Sequence, residues 1–559
     1  MSLRGAGARC AGTGAFDGAA RCCYNRVLDG WRWASLTCPL PRLYAGRDRG
    51  RHGAGDPSLE TGLMSYHLGR ISHLPIGRLI VVSNRLPNVL MDEEVGAWRA
   101  HPSSGGLVTA LSPVLEEVGG LWIGWRGTAK GARSEEPVAI GSSGAGYTLK
   151  SVGLTAEEID RYYYGFSNEV VWPLFHDLQS RCNFDPAYWH AYRAVSRKFA
   201  QAIAESATEN DLVWVHDYHL MLVARELRNM GVKARVAFFL HIPFPPLDMY
   251  MKLPWRQDIL EGLLEYDLVG FQTVRDRNNL TYCVENLMKS RHIDVRKRVT
   301  TITMPHREVM VGAFPISIDF RGFARQAGQE AVTRKSQELR QAMPYGQILL
   351  GIDRLDYSKG IPERLRAFGN ALESFPQLQG KVSLLQIVVP SREDIPEYQE
   401  LKAEIDLLVG EINGRFTRPG WIPIHYMFRG LERTELLAYY RAADIALVTP
   451  LKDGMNLIAK EYCAANLGGN GVLILSEFAG AATQLGSQSL LVNPYDIEGM
   501  AGAIWRAFNM GGEERRLRMR RLRQSVGRRD VFWWLDSFLR SAVAGGRPGE
   551  MDFPAPGVL

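Results

Sequence analysis

The side chains best placed for chemistry stand where apolar runs give way to helices. Residues 450–461 read PLKDGMNLIAKE and follow 444–449, an apolar run of the buried-strand kind. From Leu457 the chain takes on the texture of a first helical turn, so Asp453, Gly454, Met455 and Asn456 fall on a strand-to-helix loop. Such loops bind ligands in α/β sheets, because free backbone N–H groups and the positive helix end face an open crevice. The Asp453 carboxylate can accept hydrogen bonds from sugar hydroxyls. Glu461, about two helical turns beyond Gly454, can hold a ribose diol. An ordinary turn, with Gly454 for a tight bend, gives the same pattern.

A second strand-end loop, Arg354-Leu-Asp-Tyr-Ser-Lys359-Gly360, follows 348–353 and precedes a helical stretch at 362–370. Two cations beside a helix N-terminus suit a diphosphate, Arg with a fork of donors and Lys with a compact charge. A salt-bridged surface turn, with Asp353 and Asp356 as partners, is the plainer alternative. The loop is not a Walker A motif, since the Gly-x4-Gly-Lys spacing is absent. Gly105 and Gly106 precede a helical pattern and let a backbone approach a phosphate, although a Gly pair is more often a turn. Arg85 and Arg392 each lie just past a strand-like run, where they suit an anionic substrate or an acidic neighbour. Asp217 and His241 end two further runs and read as sugar-hydroxyl partners, with helix capping as the alternative for Asp217. Tyr163 and Trp172, nine residues apart in an aromatic-rich stretch, wall a sugar site or fill a core. His216, His219 and His241 make a weak case for zinc, without a His-Glu-x-x-His helix or a Cys cluster. No Asp-x-Asp pair occurs in the chain, so a diphosphate would be neutralised by Arg354, Lys359 and helix dipoles rather than through a metal. No nucleophile elbow occurs either.

These groups need a scaffold, and 559 residues exceed a single core. A hydrophobic content of 46% with 23% charged residues describes an ordinary globular protein. No apolar run reaches the roughly 18–20 residues needed to span a bilayer, which argues against a membrane helix. Ten of the 66 Lys+Arg and five of the 60 Asp+Glu fall before residue 77, leaving 56 against 55 in the remainder. That near-neutral body argues against broad nucleic-acid binding. Four of seven cysteines lie in the same N-terminal stretch; Cys182, Cys283 and Cys463 are scattered, which suits a reduced cytoplasm.

Residues 1–76 have no sustained period and are rich in Gly, Arg and Ala, which predicts disorder or a misplaced start, with Met64 as the true initiator. From residue 78 short apolar runs alternate with helical patterns: 78–83, 121–125, 212–216, 235–241, 268–272 and 309–318. A polar, charged stretch at 325–342 marks a boundary. A second series follows at 348–353, 382–389, 422–428, 445–449, 472–476 and 490–494. The pattern predicts two α/β units, each a parallel sheet covered on both faces, facing each other across a cleft. The expected division is 77–330, 331–510, helices over 511–545 that pack back on the body, and a flexible tail at 546–559.

Taken together, SNRLP, SSGGL, LWIGW, YYYGFSNEVVWP, WVHDYHL, FFLHIPFP, DRLDYSKG, PSRED, PLKDGMNLIAKEY and LSEFAGAA resemble, in order, the trehalose-6-phosphate synthases of glycosyltransferase family 20. The resemblance runs from about residue 78 to about 496. It implies a GT-B fold of two Rossmann-like domains, the first for the acceptor and the second for the nucleotide sugar. It implies retaining transfer of glucose from UDP-glucose to glucose 6-phosphate, with no cofactor and no metal. Gly105, Gly106, Arg354 and Lys359 then bind the diphosphate, and Leu431 marks backbone that holds uracil. Asp453, Gly454, Met455, Asn456, Leu457, Ile458, Ala459 and Lys460 surround donor glucose and phosphate, Glu461 takes the ribose, and His241 approaches the donor sugar. Arg85, Tyr163, Trp172, Asp217 and Arg392 hold the acceptor, the two arginines on its phosphate. The catalytic group is Arg354, Lys359, Asp453, His241 and Asp217. A cytoplasmic enzyme is implied, open to homo-oligomerisation and linked in function to a trehalose-6-phosphate phosphatase, with no nucleic-acid or membrane partner. A relative acting on glycerol 3-phosphate and a non-catalytic sugar-phosphate sensor are the alternatives.

Overall fold

Apolar runs that alternate with helices condense into two sheets. The computed structural model describes residues 74–544 apart from 88, 93–96, 101–110, 112–114, 116–118, 128–137, 141–145, 289–291, 297–298, 344–345 and 392–394. Twelve strands come first: β1 (Leu79–Arg85), β2 (Val89–Asp92), β3 (Ala97–Ala100), β4 (Gly120–Trp125), β5 (Val138–Ile140), β6 (Tyr147–Ser151), β7 (Leu212–His216), β8 (Arg235–Phe239), β9 (Leu268–Phe271), β10 (His292–Arg296), β11 (Val299–Met304) and β12 (Arg307–Ala313). Six follow: β13 (Gln347–Arg354), β14 (Val382–Val389), β15 (Ile424–Phe428), β16 (Ile445–Val448), β17 (Val472–Ser476) and β18 (Leu490–Val492). The first sheet runs β10-β11-β12-β9-β8-β7-β1-β4-β6-β5, and the second runs β15-β14-β13-β16-β17-β18. Every pairing in the second sheet is parallel. In the first, the centre is parallel and the edges β5, β10 and β11 pair antiparallel. The strands β2 and β3 form a separate antiparallel pair.

Both sheets are buried on both faces. Along β1, Ile80 and Val82 enter one apolar cluster while Leu79 and Val81 enter another. Along β13, Leu349 joins the first cluster and Ile348, Leu350 and Ile352 the second. That is why these strands read as continuous apolar runs. The sequence pattern misses β2, β3, β5, β6, β10 and β11. Of these, β11 (VTTITM) alternates buried and half-buried positions, and β10 (HIDVR) is a charged edge, so neither carries a fully apolar signal. The run read as one strand over 309–318 stops at Ala313, and Phe314 to Ile318 continue as irregular chain before the helix Phe320–Ala327.

Two helices, Phe320–Ala327 and Glu330–Ala342, lie between the sheets in sequence. The helix Gly512–Arg528 packs beside the second sheet's helix Leu457–Ala465. The last helix, Val531–Ala544, returns to the first sheet, where Phe538 stacks on Trp214 at 4.4 Å and Trp534 lies 5.2 Å from the same ring. Among the described residues no helix is long and apolar enough to cross a membrane.

Candidate active site

In each sheet strand order reverses once within the parallel centre, between β1 and β7 and between β13 and β16. Such a reversal splays the connecting helices to opposite faces and opens a crevice at the strand C-termini. Arg85 ends β1 and Asp217 follows β7; Arg354 ends β13 and Asp453 lies in the loop after β16. The sequence-predicted residues therefore collect at two switch points.

At the first, the Arg85 guanidinium lies 5.0 Å from the Trp125 ring and 5.2 Å from that of Tyr163. Asp217 has φ 74° and ψ 166°, a region open essentially only to glycine, at a cost of about 1–3 kcal/mol. Its N–H donates to the Phe239 carbonyl at 2.8 Å, and its Oδ1 accepts the His241 N–H at 3.2 Å. The carboxylate thus reaches the next loop and does not cap the turn that follows it, which removes the capping alternative.

Residues Ile159–Val171 wind as a π-helix, and the Trp172 N–H donates to the Ser167 carbonyl five residues back. An α-helix, at about 3.6 residues per turn, would put Tyr163 and Trp172 on opposite sides. At roughly 4.4 residues per turn the π-helix brings them to the same side. Tyr163 stacks on His219 at 5.9 Å, His219 lies 3.9 Å from Tyr218, and Tyr218 lies 5.7 Å from Trp172. The row continues through Trp172 to His176 at 4.3 Å. Asn168 pins it, donating to the Tyr163 carbonyl at 2.6 Å and accepting the Tyr218 hydroxyl at 3.1 Å. Trp172 is 6% exposed, so most of its ring belongs to the core, whereas Tyr163 is half-buried.

At the second switch point, Lys359 and Asp453 form an ion pair at 2.5 Å. The Asp453 carboxylate also accepts the Met455 N–H at 3.3 Å and the Asn456 amide at 3.2 Å. Burial pushes that carboxyl up, but the Lys359 ammonium, aided by the Met455 N–H, outweighs it and holds the group below the usual aspartate range. Arg354 is exposed and joins no ion pair among the described residues. The salt-bridged turn does not form, because its acids are used elsewhere. Asp353 pairs with buried Arg364 at 2.7 Å, and Asp356 accepts the Ser358 N–H and hydroxyl, both at 2.9 Å. Glu461 is half-buried and accepts the Tyr440 hydroxyl at 2.8 Å; burial raises its carboxyl above the ordinary value, with Tyr440 and Arg433 opposing. Leu431 sits in the loop after β15, half-buried.

The two switch points touch. A Cβ on Gly454 would lie 2.1 Å from the His241 carbonyl oxygen, and one on Gly480 would lie 1.8 Å from that of Gly454. Only a bare backbone allows this stacking, so Gly454 serves close approach rather than a bend. Lys452 and Asp177 form an ion pair across the same seam, and the Arg181 guanidinium lies 4.9 Å over the Tyr357 ring. His176 also faces it. Burial lowers its pKa to about 4, against the opposing influence of Asp356, so the ring is neutral beside Lys359 and Asp453. Asp177, Asp217 and Asn456 are the non-glycine residues with positive φ among the described residues, and all three border this seam.

Two of the sequence-predicted side chains point elsewhere. The Ile316 N–H donates to the Gln272 side-chain oxygen Oε1 at 2.9 Å, which turns the Gln272 amide nitrogen toward His241 Nδ1 at 3.4 Å. His241 Nε2 meets His216 Nδ1 at 3.1 Å. Both ring nitrogens of His241 are therefore taken up by protein, and burial lowers its pKa to about 3. What His241 presents to the Asp453 loop is its carbonyl, not its imidazole. Lys460 is fully buried and donates to the Ile316 carbonyl at 2.6 Å, away from the loop. Met455 and Ala459 are buried as well, so they offer backbone only. Gly105, Gly106 and Arg392 lie outside the described residues. Sequence reasoning did not single out Asn168, His176, Tyr218 or Gln272. Asn168 and Tyr218 lie within the motifs YYYGFSNEVVWP and WVHDYHL, which was the available signal, whereas His176 and Gln272 lie outside the motifs.

The glycosyltransferase family 20 model matches residues 77–544. The chain belongs to glycosyltransferase family 20. A trehalose-6-phosphate synthase of Mycolicibacterium smegmatis is 42% identical over 476 residues, covering 84% of this chain and 93% of that one. Among solved structures, an alpha,alpha-trehalose-phosphate synthase (UDP-forming) from Burkholderia xenovorans in complex with glucose-6-phosphate is 37% identical, with a TM-score of 0.76 over 83% of this chain and 100% of that one. An E. coli structure bound with UDP-2-fluoro glucose is 36% identical, with a TM-score of 0.76 over 84% and 99%. The fold is the GT-B arrangement of two α/β sheets.

Proposed function

We propose that the chain is a retaining glucosyltransferase that moves glucose from UDP-glucose to glucose 6-phosphate, releasing α,α-trehalose 6-phosphate and UDP. The observation that carries this reading is the Lys359–Asp453 pair at one switch point, set against the His241 carbonyl that follows the other. Relatives bound with glucose-6-phosphate and with a fluorinated UDP-glucose give the reading its substrates.

In this proposal residues 77–330 bind the acceptor and 331–510 the donor. Arg354 and Lys359 neutralise the diphosphate, Glu461 holds the ribose and Asp453 a donor-glucose hydroxyl. Arg85 takes the acceptor phosphate together with Arg392, and Tyr163, Trp172 and Asp217 wall the acceptor sugar. Gly105 and Gly106 complete the donor cradle. No carboxylate is assigned as a nucleophile on the far face of the donor, so the double displacement of retaining hydrolases is not invoked. The acceptor hydroxyl attacks the face from which UDP departs, and the leaving phosphate oxygen takes its proton. Catalysis then rests on positioning and on the preset charge that meets the departing diphosphate. The enzyme works in the cytoplasm without a metal, and its product feeds a phosphatase.

The test is UDP release by purified protein given UDP-glucose with glucose 6-phosphate or with glycerol 3-phosphate. Release that requires glucose 6-phosphate is expected. Release only with glycerol 3-phosphate, or none with either, would overturn the assignment.

A further inference from the structure

The helix Gly512–Arg528 carries arginines in two distinct situations. Arg515 is buried and donates to Gln347 at 2.7 Å, and Arg518 donates to Glu514 at 2.8 Å. Arg516, Arg520 and Arg528 are exposed and join no ion pair among the described residues. The positions 516, 520 and 523 recur at the helical period, so these side chains share one side of the helix, and Arg528 joins them from its last turn. That side lines a cavity of about 600 Å³, outside the site described above. Phe320 and Arg321, at the start of the helix Phe320–Ala327, form the facing wall. Five arginines line the cavity, and none of the described residues lining it carries a carboxylate.

The wall is built rather than incidental. The Arg523 guanidinium lies 5.2 Å from the Phe320 ring and donates to the carbonyls of Cys463 at 2.8 Å, Ala464 at 2.5 Å and Asn466 at 3.2 Å. It is therefore fixed at the rear of the helix Leu457–Ala465, whose front end is the Asp453 loop. Gly527 leaves the floor open, since a Cβ there would come 3.2 Å from the Phe320 ring. Converging guanidinium groups repel one another, a cost relieved by an anion. The volume lies inside the roughly 300–1,000 Å³ range of small-molecule sites. A phosphoryl group brings about −1.5 to −2 charges, so one falls short of the three exposed guanidinium groups of Arg516, Arg520 and Arg528, and two balance them. Each guanidinium fork matches phosphate oxygens in pairs. A polymer would need a basic track beyond the cavity, and the chain from residue 77 on is near neutral, at 56 Lys+Arg against 55 Asp+Glu.

We propose that this cavity is a second binding site, separate from the donor and acceptor sites, for a compact small molecule carrying two or more phosphoryl groups. Inorganic tripolyphosphate is the probe, titrated calorimetrically into the full chain held in saturating UDP, so that the donor diphosphate site is blocked. One binding event is expected, weakening with added salt and at least tenfold tighter than that of inorganic phosphate. The double variant Arg516→Gln/Arg520→Gln should lose at least tenfold in affinity, with UDP binding and basal turnover unchanged. Should the double variant fold poorly, Arg528→Gln alone should still weaken tripolyphosphate severalfold. No binding, equal binding by wild type and variants, or equal affinity for inorganic phosphate would overturn the proposal. So would tighter binding of a short single-stranded oligonucleotide of matched charge, which would assign the arginines to a polymer. Failure of UDP itself to bind would count against the proposed function, and the cavity would then be read from tripolyphosphate alone.

Discussion

The two switch points solve the same problem with different materials. Between β13 and β16 charge is already set: Lys359 and Asp453 are paired at 2.5 Å, and the carboxylate is tied to two further donors in its own loop. Between β1 and β7 the Arg85 guanidinium joins no ion pair among the described residues and is held by rings, resting over Trp125 and Tyr163. A preset ion pair suits a ligand whose charge changes during reaction, because its dipoles need not reorganise when the bond breaks. An arginine on an aromatic shelf suits a ligand that must only be gripped by a spectator phosphate. The difference teaches which half is expected to govern the chemical step and which the capture of the acceptor.

Replacing Lys359 with Ala is the harshest test of that contrast. It should lower kcat on the order of a hundred- to thousandfold, as for loss of a group that meets developing charge. The KM for glucose 6-phosphate should barely move; steady-state kinetics that showed only an acceptor defect would break the comparison. Arg85→Ala should act in the opposite sense, raising the KM for glucose 6-phosphate roughly ten- to hundredfold with kcat nearly intact, the worth of a charge-assisted hydrogen bond. Equal losses toward donor and acceptor would erase the division of labour.

Gly454→Ala probes the seam between the two. Its Cβ would meet the His241 carbonyl, a backbone atom that cannot swing aside, so a stability loss of about 1–3 kcal/mol is expected in chemical denaturation. An unchanged midpoint would mean that the halves do not press together there. The gentlest test is pH. Burial lowers Lys460 to about 7, so above that pH the unfolded chain binds the proton more tightly than the folded one. Folding stability contributed at this position should therefore rise from about pH 7 toward the ordinary lysine range, and be flat below. Relative to Lys460→Met, wild type should gain stability between pH 7 and pH 9 by thermal melts. A pH-independent difference would show that the ammonium is not confined against the Ile316 carbonyl.

Much of this was legible in the chain because switch-point residues sit where an apolar run turns polar, and that boundary is local. Asp453, Lys359, Arg354, Arg85 and Asp217 were all readable that way. Direction was not. Whether Lys460 faces the loop or the Ile316 carbonyl depends on a partner 144 residues earlier, and His241 is claimed by His216 and Gln272 from neighbouring strands. The π-helix was illegible because no local residue type marks a winding wider than the α-helix; it shows in backbone bonds such as that from the Trp172 N–H to the Ser167 carbonyl. Charged or half-buried strands such as β10 and β11 escaped for want of an apolar signal.

The closing helix has a consequence for how the molecule is made. Trp534 and Phe538 cover Trp214, and Arg235 donates to the Ala542 carbonyl 307 residues further on. The first half therefore emerges from the ribosome with an aromatic patch it cannot cover itself. The early-made sheet is finished late, and its aromatic patch stays exposed to aggregation until the helix Val531–Ala544 has been made.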